Sequence, residues 1–123
     1  MADVSSYKDL KVWQLGVPIC TQVYALIPRF PAEERFGLSN QLRRCSVSIS
    51  SNIAEGHARD TTRDYLRHLS IASGSLAELE TQLTIAQELG FATPDELEQL
   101  RQQCEEESRM LTALRATLKK KLN

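Results

Sequence analysis

The sequence predicts an all-α protein, an antiparallel up-and-down four-helix bundle. Three observations carry that prediction. Apolar or small residues recur at alternating steps of three and four; clusters of Pro, Gly and polar residues cut the 123 residues into four segments; and the links are too short for a crossover. The predicted helices span approximately 8–28, 32–57, 61–90 and 94–121 within one domain, 1–123.

The first segment aligns Leu10, Trp13, Val17, Cys20, Tyr24 and Ile27 on one seam, with a kink predicted at Gly16 and Pro18. No charged residue lies between Val12 and Pro28, and a second seam of Val12, Leu15, Ile19, Gln22 and Leu26 runs beside the first. A helix that is apolar nearly all round is normally buried. Val12, Leu15, Ile19 and Leu26 are therefore expected to form an interface between copies of the chain, a wide core in a monomer being the alternative. A membrane span is not expected, because the stretch falls short of the roughly 20 apolar residues a bilayer requires and contains Gln14, Gly16, Pro18 and Gln22.

The second segment is ambiguous over Cys45-Ser46-Val47-Ser48-Ile49-Ser50, which alternates with period two like a strand. Leu38, Leu42, Cys45, Ile49 and Ile53 fit helical spacing over a longer window, and no other stretch offers a partner strand, so a helix is predicted. The third segment repeats Tyr65, Leu69, Ala72, Leu76, Leu79, Leu83 and Ala86, and a side line runs through Ile71, Ser75, Glu78, Gln82, Ile85 and Leu89. Gly90 can stop that helix in the left-handed region, and Thr93-Pro94-Asp95-Glu96 supplies a cap, a first-turn Pro and a Glu at the third position for the next. The fourth segment aligns Leu97, Leu100, Cys104, Glu107, Leu111, Leu114 and Leu118, with Glu107 alone out of character. Small residues on the second and third helices predict a close approach and a polar network of Asn52, Glu55, Ser75 and Glu78, with Arg43 and Arg44 as partners for the carboxylates.

Fifteen Lys and Arg against sixteen Asp and Glu leave a net charge of −1, so whole-body charge does not drive nucleic-acid binding. The distribution says more. Residues 69 to 108 hold nine acids and one base, Arg101, whereas 109 to 123 hold five bases and no acid. Candidate phosphate-binding residues are Arg43 and Arg44, Arg63 and Arg67, which share a helix face with Arg59 a further step of four before them, and Lys119, Lys120 and Lys121. The competing reading pairs Arg63 and Arg67 with Asp60 and Asp64 along the helix and assigns the lysines to a helix C-terminus. Aromatic residues make up 6%, too few to suggest sequence-specific reading of single strands.

No catalytic residue is assigned. The serines near His57 lack a strained turn, an oxyanion signature and an orienting acid. His57 and His68 lack a zinc-motif spacing, and Glu55, Glu78 and Glu107 lack the accompanying His of a bundle metal site, so no metal or cofactor is expected. Cys20, Cys45 and Cys104 are odd in number, widely spaced and on core seams, which fits small buried hydrophobes and excludes a closed disulfide framework. The start, MADVSSYKDL, shows no apolar leader, and a cytoplasmic location is expected.

The run from Gln41 to Gly56, QLRRCSVSISSNIAEG, followed by Gly74-Ser75-Leu76-Ala77-Glu78-Leu79-Glu80, resembles the four-helix-bundle proteins encoded in intervening sequences of bacterial 23S ribosomal RNA genes. Tyr7-Lys8-Asp9-Leu10-Lys11-Val12-Trp13 and Phe30-Pro31 extend the resemblance over essentially the whole chain. The same family includes the accessory variability protein of diversity-generating retroelements, a homopentamer that binds RNA and a reverse transcriptase. The resemblance implies a bundle that assembles as a pentamer, with RNA and a reverse transcriptase or other nucleic-acid enzyme as partners. The family commonly has Pro at the position of Ser50, so no kink in the second helix is carried over. The expectation is a non-enzymatic, cytoplasmic homo-oligomer that binds RNA or a nucleic-acid-processing partner through a basic surface. The alternative is a protein-binding scaffold with no nucleic-acid role.

Overall fold

The computed structural model describes residues 6–122; residues 1–5 and 123 of the predicted 1–123 domain lie outside the described residues. It is an all-α four-helix bundle: α1 (Lys11–Leu26), α2 (Leu38–His57), α3 (Thr62–Glu88) and α4 (Pro94–Lys120), with 3-10 turns at Tyr7–Asp9, Ile27–Arg29 and Ala32–Phe36. Cross-helix contacts fix the antiparallel order. On α1 and α4, Gly16 faces Glu107, Gln22 donates to Gln103 at 2.5 Å, and Arg29, just beyond α1, pairs with Glu96, so numbers rise on one helix as they fall on the other. Arg101 bonds Gln87 and Arg115 bonds Ser73, which sets the same opposition between α3 and α4.

Local chemistry explains the helix ends. Thr61 caps α3 through the Asp64 N–H, and Thr93 and Glu96 exchange the two bonds of a capping box ahead of Pro94. Gly90 adopts φ 78°, and the Phe91 and Gly90 N–H groups bond back to Ala86 and Gln87, closing α3 in a Schellman motif. The second helix begins at Leu38 rather than 32, because Gly37 leaves helical backbone and the Glu34 carboxylate accepts the Leu38 N–H. The first begins at Lys11 rather than 8, because Leu10 is extended.

The predicted seams of α3 and α4 line the core, with Leu69, Leu79, Leu83, Leu97, Cys104 and Leu111 essentially inaccessible. Leu42, Ile49 and Ile53 do the same on α2. The first helix corrects the prediction. Its core face is Val12, Gly16, Ile19, Val23 and Leu26, while Tyr24, placed on the inner seam, is 45% exposed. Val12, Ile19 and Leu26 therefore pack inside this one chain and Leu15 is half-buried, so these four do not form a free face for a second copy. Both seams are comparably apolar; Gly16 decides between them, since the side without a side chain is the side that can settle against α4 and α2.

The most extensive helix contact is between α2 and α3. At its C-terminal end a Cβ on Gly56 would lie 2.7 Å from the His68 Cβ and 3.2 Å from the Tyr65 carbonyl, so only glycine allows this separation.

Candidate nucleic-acid interface

Antiparallel order brings the start of α1, the end of α2, the start of α3 and the end of α4 to one end of the bundle. Lys8, Lys11, Arg59, Arg63, Arg67 and the three lysines 119–121 gather there, against Asp9, Glu55, Asp60 and Asp64. The register set by Arg115 and Ser73 carries Lys119–Lys121 to the level of Arg67. Two sequence-distant candidates thus lie at the same end and level of the bundle. The opposite end holds Glu33, Glu34, Glu88, Asp95, Glu96 and Glu98 against Arg29 and Arg35, an acidic excess that offsets the basic pole within a net charge of −1.

Intrahelical pairing does not consume the pole. Arg59 bonds Glu55 at 2.8 Å, and Arg67 approaches Asp64 only at 4.0 Å. Among the described residues no carboxylate comes within 4.0 Å of Arg63, Lys119, Lys120 or Lys121. Exposed pairs of the Arg67 kind contribute at most a fraction of about 1 kcal/mol, so these cations remain available to phosphates. Arg43 and Arg44 do not join them. They sit in the first half of α2, toward the other end, beside Tyr24 and Val47.

The polar network forms between α2 and α3 with altered membership. Asn52 Nδ2 donates to the Ser48 carbonyl and hydroxyl at 2.9 Å, and Ser75 Oγ donates to Ser48 Oγ at 2.8 Å. The Asn52 carbonyl oxygen lies 3.1 Å from His68 Nδ1, which must donate; Glu55 Oε2 lies 3.9 Å from the same nitrogen. Ser48 and His68 are the members that the sequence reading missed. Glu78 lies outside the bonded set, lining a small polar cleft with Arg44, Ser48 and Ser75. Arg59 partners Glu55, in place of the predicted Arg43 or Arg44, because it lies one turn along the chain.

Glu107 is fully buried against Gly16, with no hydrogen-bond partner on either carboxyl oxygen. Burial, with a smaller contribution from Glu106, pushes its pKa up to about 8, so it is mainly a neutral acid at pH 7. At pH 7 it therefore brings little negative charge to the bundle interior. Among the described residues no group of three or more His, Cys, Asp or Glu is placed to hold a metal ion.

A family model described as "23S rRNA-intervening sequence protein" matches residues 8–113. The chain belongs to that family. A crystal structure of a protein of unknown function from the S23 ribosomal protein family of Bacteroides thetaiotaomicron shares the fold of this family member, with a TM-score of 0.77 and 22% identity over 84% of this chain and 96% of the other. No curated protein matches the chain. The family match stops before Lys119, so the lysine end of this 23S rRNA-intervening sequence family member lies beyond the matched span. No described helix is long and apolar enough to cross a membrane.

Cys45 and Cys104 are buried, and burial first of all pushes both thiols up to about 12; Cys20 is half-buried. A thiolate is the reactive form, so a thiol reagent applied to the native protein at pH 8 is expected to label Cys20 well before the other two. Denaturation should release all three, and mass spectrometry of the labelled peptides reads the order. Comparable labelling of Cys45 or Cys104 in the native state would contradict the core packing.

Proposed function

We propose that the protein is a non-enzymatic, cytoplasmic homo-oligomer that binds structured RNA along its phosphate backbone through the basic pole. The observation that carries this reading is the convergence of Arg63, Arg67 and Lys119–Lys121 at one end, with Arg63 and the lysines lacking carboxylate partners among the described residues. Backbone phosphates reward point cations in a cluster without requiring aromatic readers, which suits this surface. Ring assembly repeats the pole around an axis and multiplies weak contacts into useful affinity. Five copies is the number implied by the family resemblance, and a reverse transcriptase or another nucleic-acid enzyme is the class of protein partner. Three thiols without disulfides suit a reducing compartment.

The copies would meet through α3, where Ile71, Ile85 and Leu89 stand 42–57% exposed, rather than through the buried face of α1. Ile71→Asp with Ile85→Asp is expected to lower the mass measured by light scattering while leaving the helical content unchanged. A wild-type protein already monomeric at tens of micromolar would contradict this part of the proposal.

The binding test combines Arg63→Glu, Arg67→Glu and Lys119→Glu, Lys120→Glu, Lys121→Glu. All five lie at an exposed end, so the variant should fold. Affinity for a labelled RNA hairpin is expected to fall at least about 100-fold at low salt. Unchanged affinity would overturn the proposal. A second reading, a protein-binding scaffold, is favoured by the same exposed apolar residues of α3; it predicts partner capture insensitive to salt.

A further inference from the structure

Two adjoining clefts lie at the opposite end from the basic pole, between α1, the 3-10 connection and the first half of α2. One, about 370 Å³, is walled by Ile27, Phe30, Pro31, Arg35 and Arg43; the other, about 460 Å³, by Asn40, Arg43, Arg44 and Val47. Tyr24 and Arg43 border both. Neither lining includes an acidic residue, although acids dominate this end of the molecule. Among the described residues, no carboxylate lies within 4.0 Å of Arg35, Arg43 or Arg44. Tyr24 is 45% exposed, and Phe36, over which the Arg35 guanidinium sits at 5.2 Å, is 84% exposed.

We propose that this double cleft is a single-strand nucleic-acid site, in which a base stacks on Tyr24 while Arg35, Arg43 and Arg44 hold the flanking phosphates. It rests on the nucleic-acid reading above and adds a contact of different chemistry, since the pole offers cations alone. The arrangement matches how unpaired strands are held, with a π-face for a base between cations for the backbone. A duplex hides its base faces and could not use Tyr24 in this way. An acidic peptide would satisfy the arginines but has no regular flat group to set against an exposed ring. Stacking tolerates any base, so the low aromatic content of the chain does not count against it; what matters is that an exposed aromatic lies among unpaired arginines.

The test uses fluorescence anisotropy of a labelled ten-residue oligouridine, run beside a labelled blunt RNA duplex on the full-length protein. Tyr24→Ala is expected to weaken oligouridine binding about tenfold, and Tyr24→Phe to stay within about threefold of wild type. Arg43→Ala with Arg44→Ala should weaken it further and make it less dependent on salt. Affinity for the duplex, which offers no unpaired base, should be nearly unchanged in the tyrosine variants. Melting followed by circular dichroism checks that each variant is folded. Oligouridine affinity unaffected by Tyr24→Ala, or no oligouridine binding by the wild type, would overturn the proposal. So would displacement of the probe by an acidic peptide at lower concentration than by unlabelled oligouridine. The duplex series reports on the pole and the tyrosine dependence of the oligouridine series on the cleft, so the two readings fail separately.

Discussion

Glu107→Leu is expected to raise the melting temperature at pH 8 by about 10 °C and to flatten the dependence of stability on pH between 4.5 and 8. The carboxyl sits at 0% exposure with both oxygens unpartnered, and its pKa is raised from 4.5 to about 8. A raised carboxyl pKa means that the folded state binds more protons than the unfolded state between those values. The stability associated with the neutral acid is therefore fully present below about 4.5 and is lost as pH rises through about 8. At pH 7 the penalty is on the order of 3 kcal/mol, the work of keeping a proton on an acid that water would ionise. Leucine removes that penalty and continues the seam of Leu100, Cys104 and Leu111. Glu107→Gln is expected to remove the slope as well, with a smaller gain in stability, because its amide N–H groups are also left to find partners. Urea denaturation of the three proteins at several pH values reads both effects. Equal slopes in wild type and Glu107→Leu would show that the carboxyl is hydrated.

The second large effect is a reversal of the usual ranking of glycine and alanine in helices. Gly56→Ala and Gly74→Ala both replace a helical glycine, and intrinsic propensity assigns each a gain of about 1 kcal/mol. Their surroundings differ. A Cβ at Gly56 meets His68 Cβ at 2.7 Å, whereas a Cβ at Gly74 meets nothing within 4 Å. Gly74→Ala is expected to stabilise by about 0.5–1 kcal/mol, and Gly56→Ala to destabilise by about 3 kcal/mol as α2 and α3 are forced apart. The displacement should also loosen the bond between Asn52 and His68, visible as a shift of the His68 ring resonances. Equal stabilisation by both substitutions would mean that α2 and α3 are further apart than the structure places them.

Legibility in the sequence followed how local each cause is. The capping box at Thr93, the left-handed Gly90 and the seams of α3 and α4 depend on residues within a few positions of one another, and all were readable. The orientation of α1 was not. With Val12, Ile19 and Leu26 on one side and Trp13, Val17 and Tyr24 on the other, hydrophobicity is balanced, and only docking against α4 and α2 at Gly16 breaks the tie. The polar network was located on the right helices but with Glu78 in place of Ser48 and His68, because cross-helix register is not encoded in periodicity. The candidate cations were all visible, yet their partition was not: antiparallel order brings Arg63 and Arg67 to the same end as Lys119–Lys121 and leaves Arg43 and Arg44 toward the other. Tyr24, Arg35 and Phe36 carried no motif. Their meaning comes from the turn at Pro28 and Pro31, which folds the start of α2 back beside the end of α1.

Recognition of phosphates by one pole of the bundle, as a cluster of charges, is the proposal on which the functional reading rests. It is tested most directly by measuring the affinity of the wild-type protein for the RNA hairpin between about 50 and 200 mM salt. A logarithmic plot falling steeply, with a slope corresponding to several released counterions and clearly reduced in the five-residue charge reversal, is the predicted result. A flat plot, or the same slope in both proteins, would contradict it.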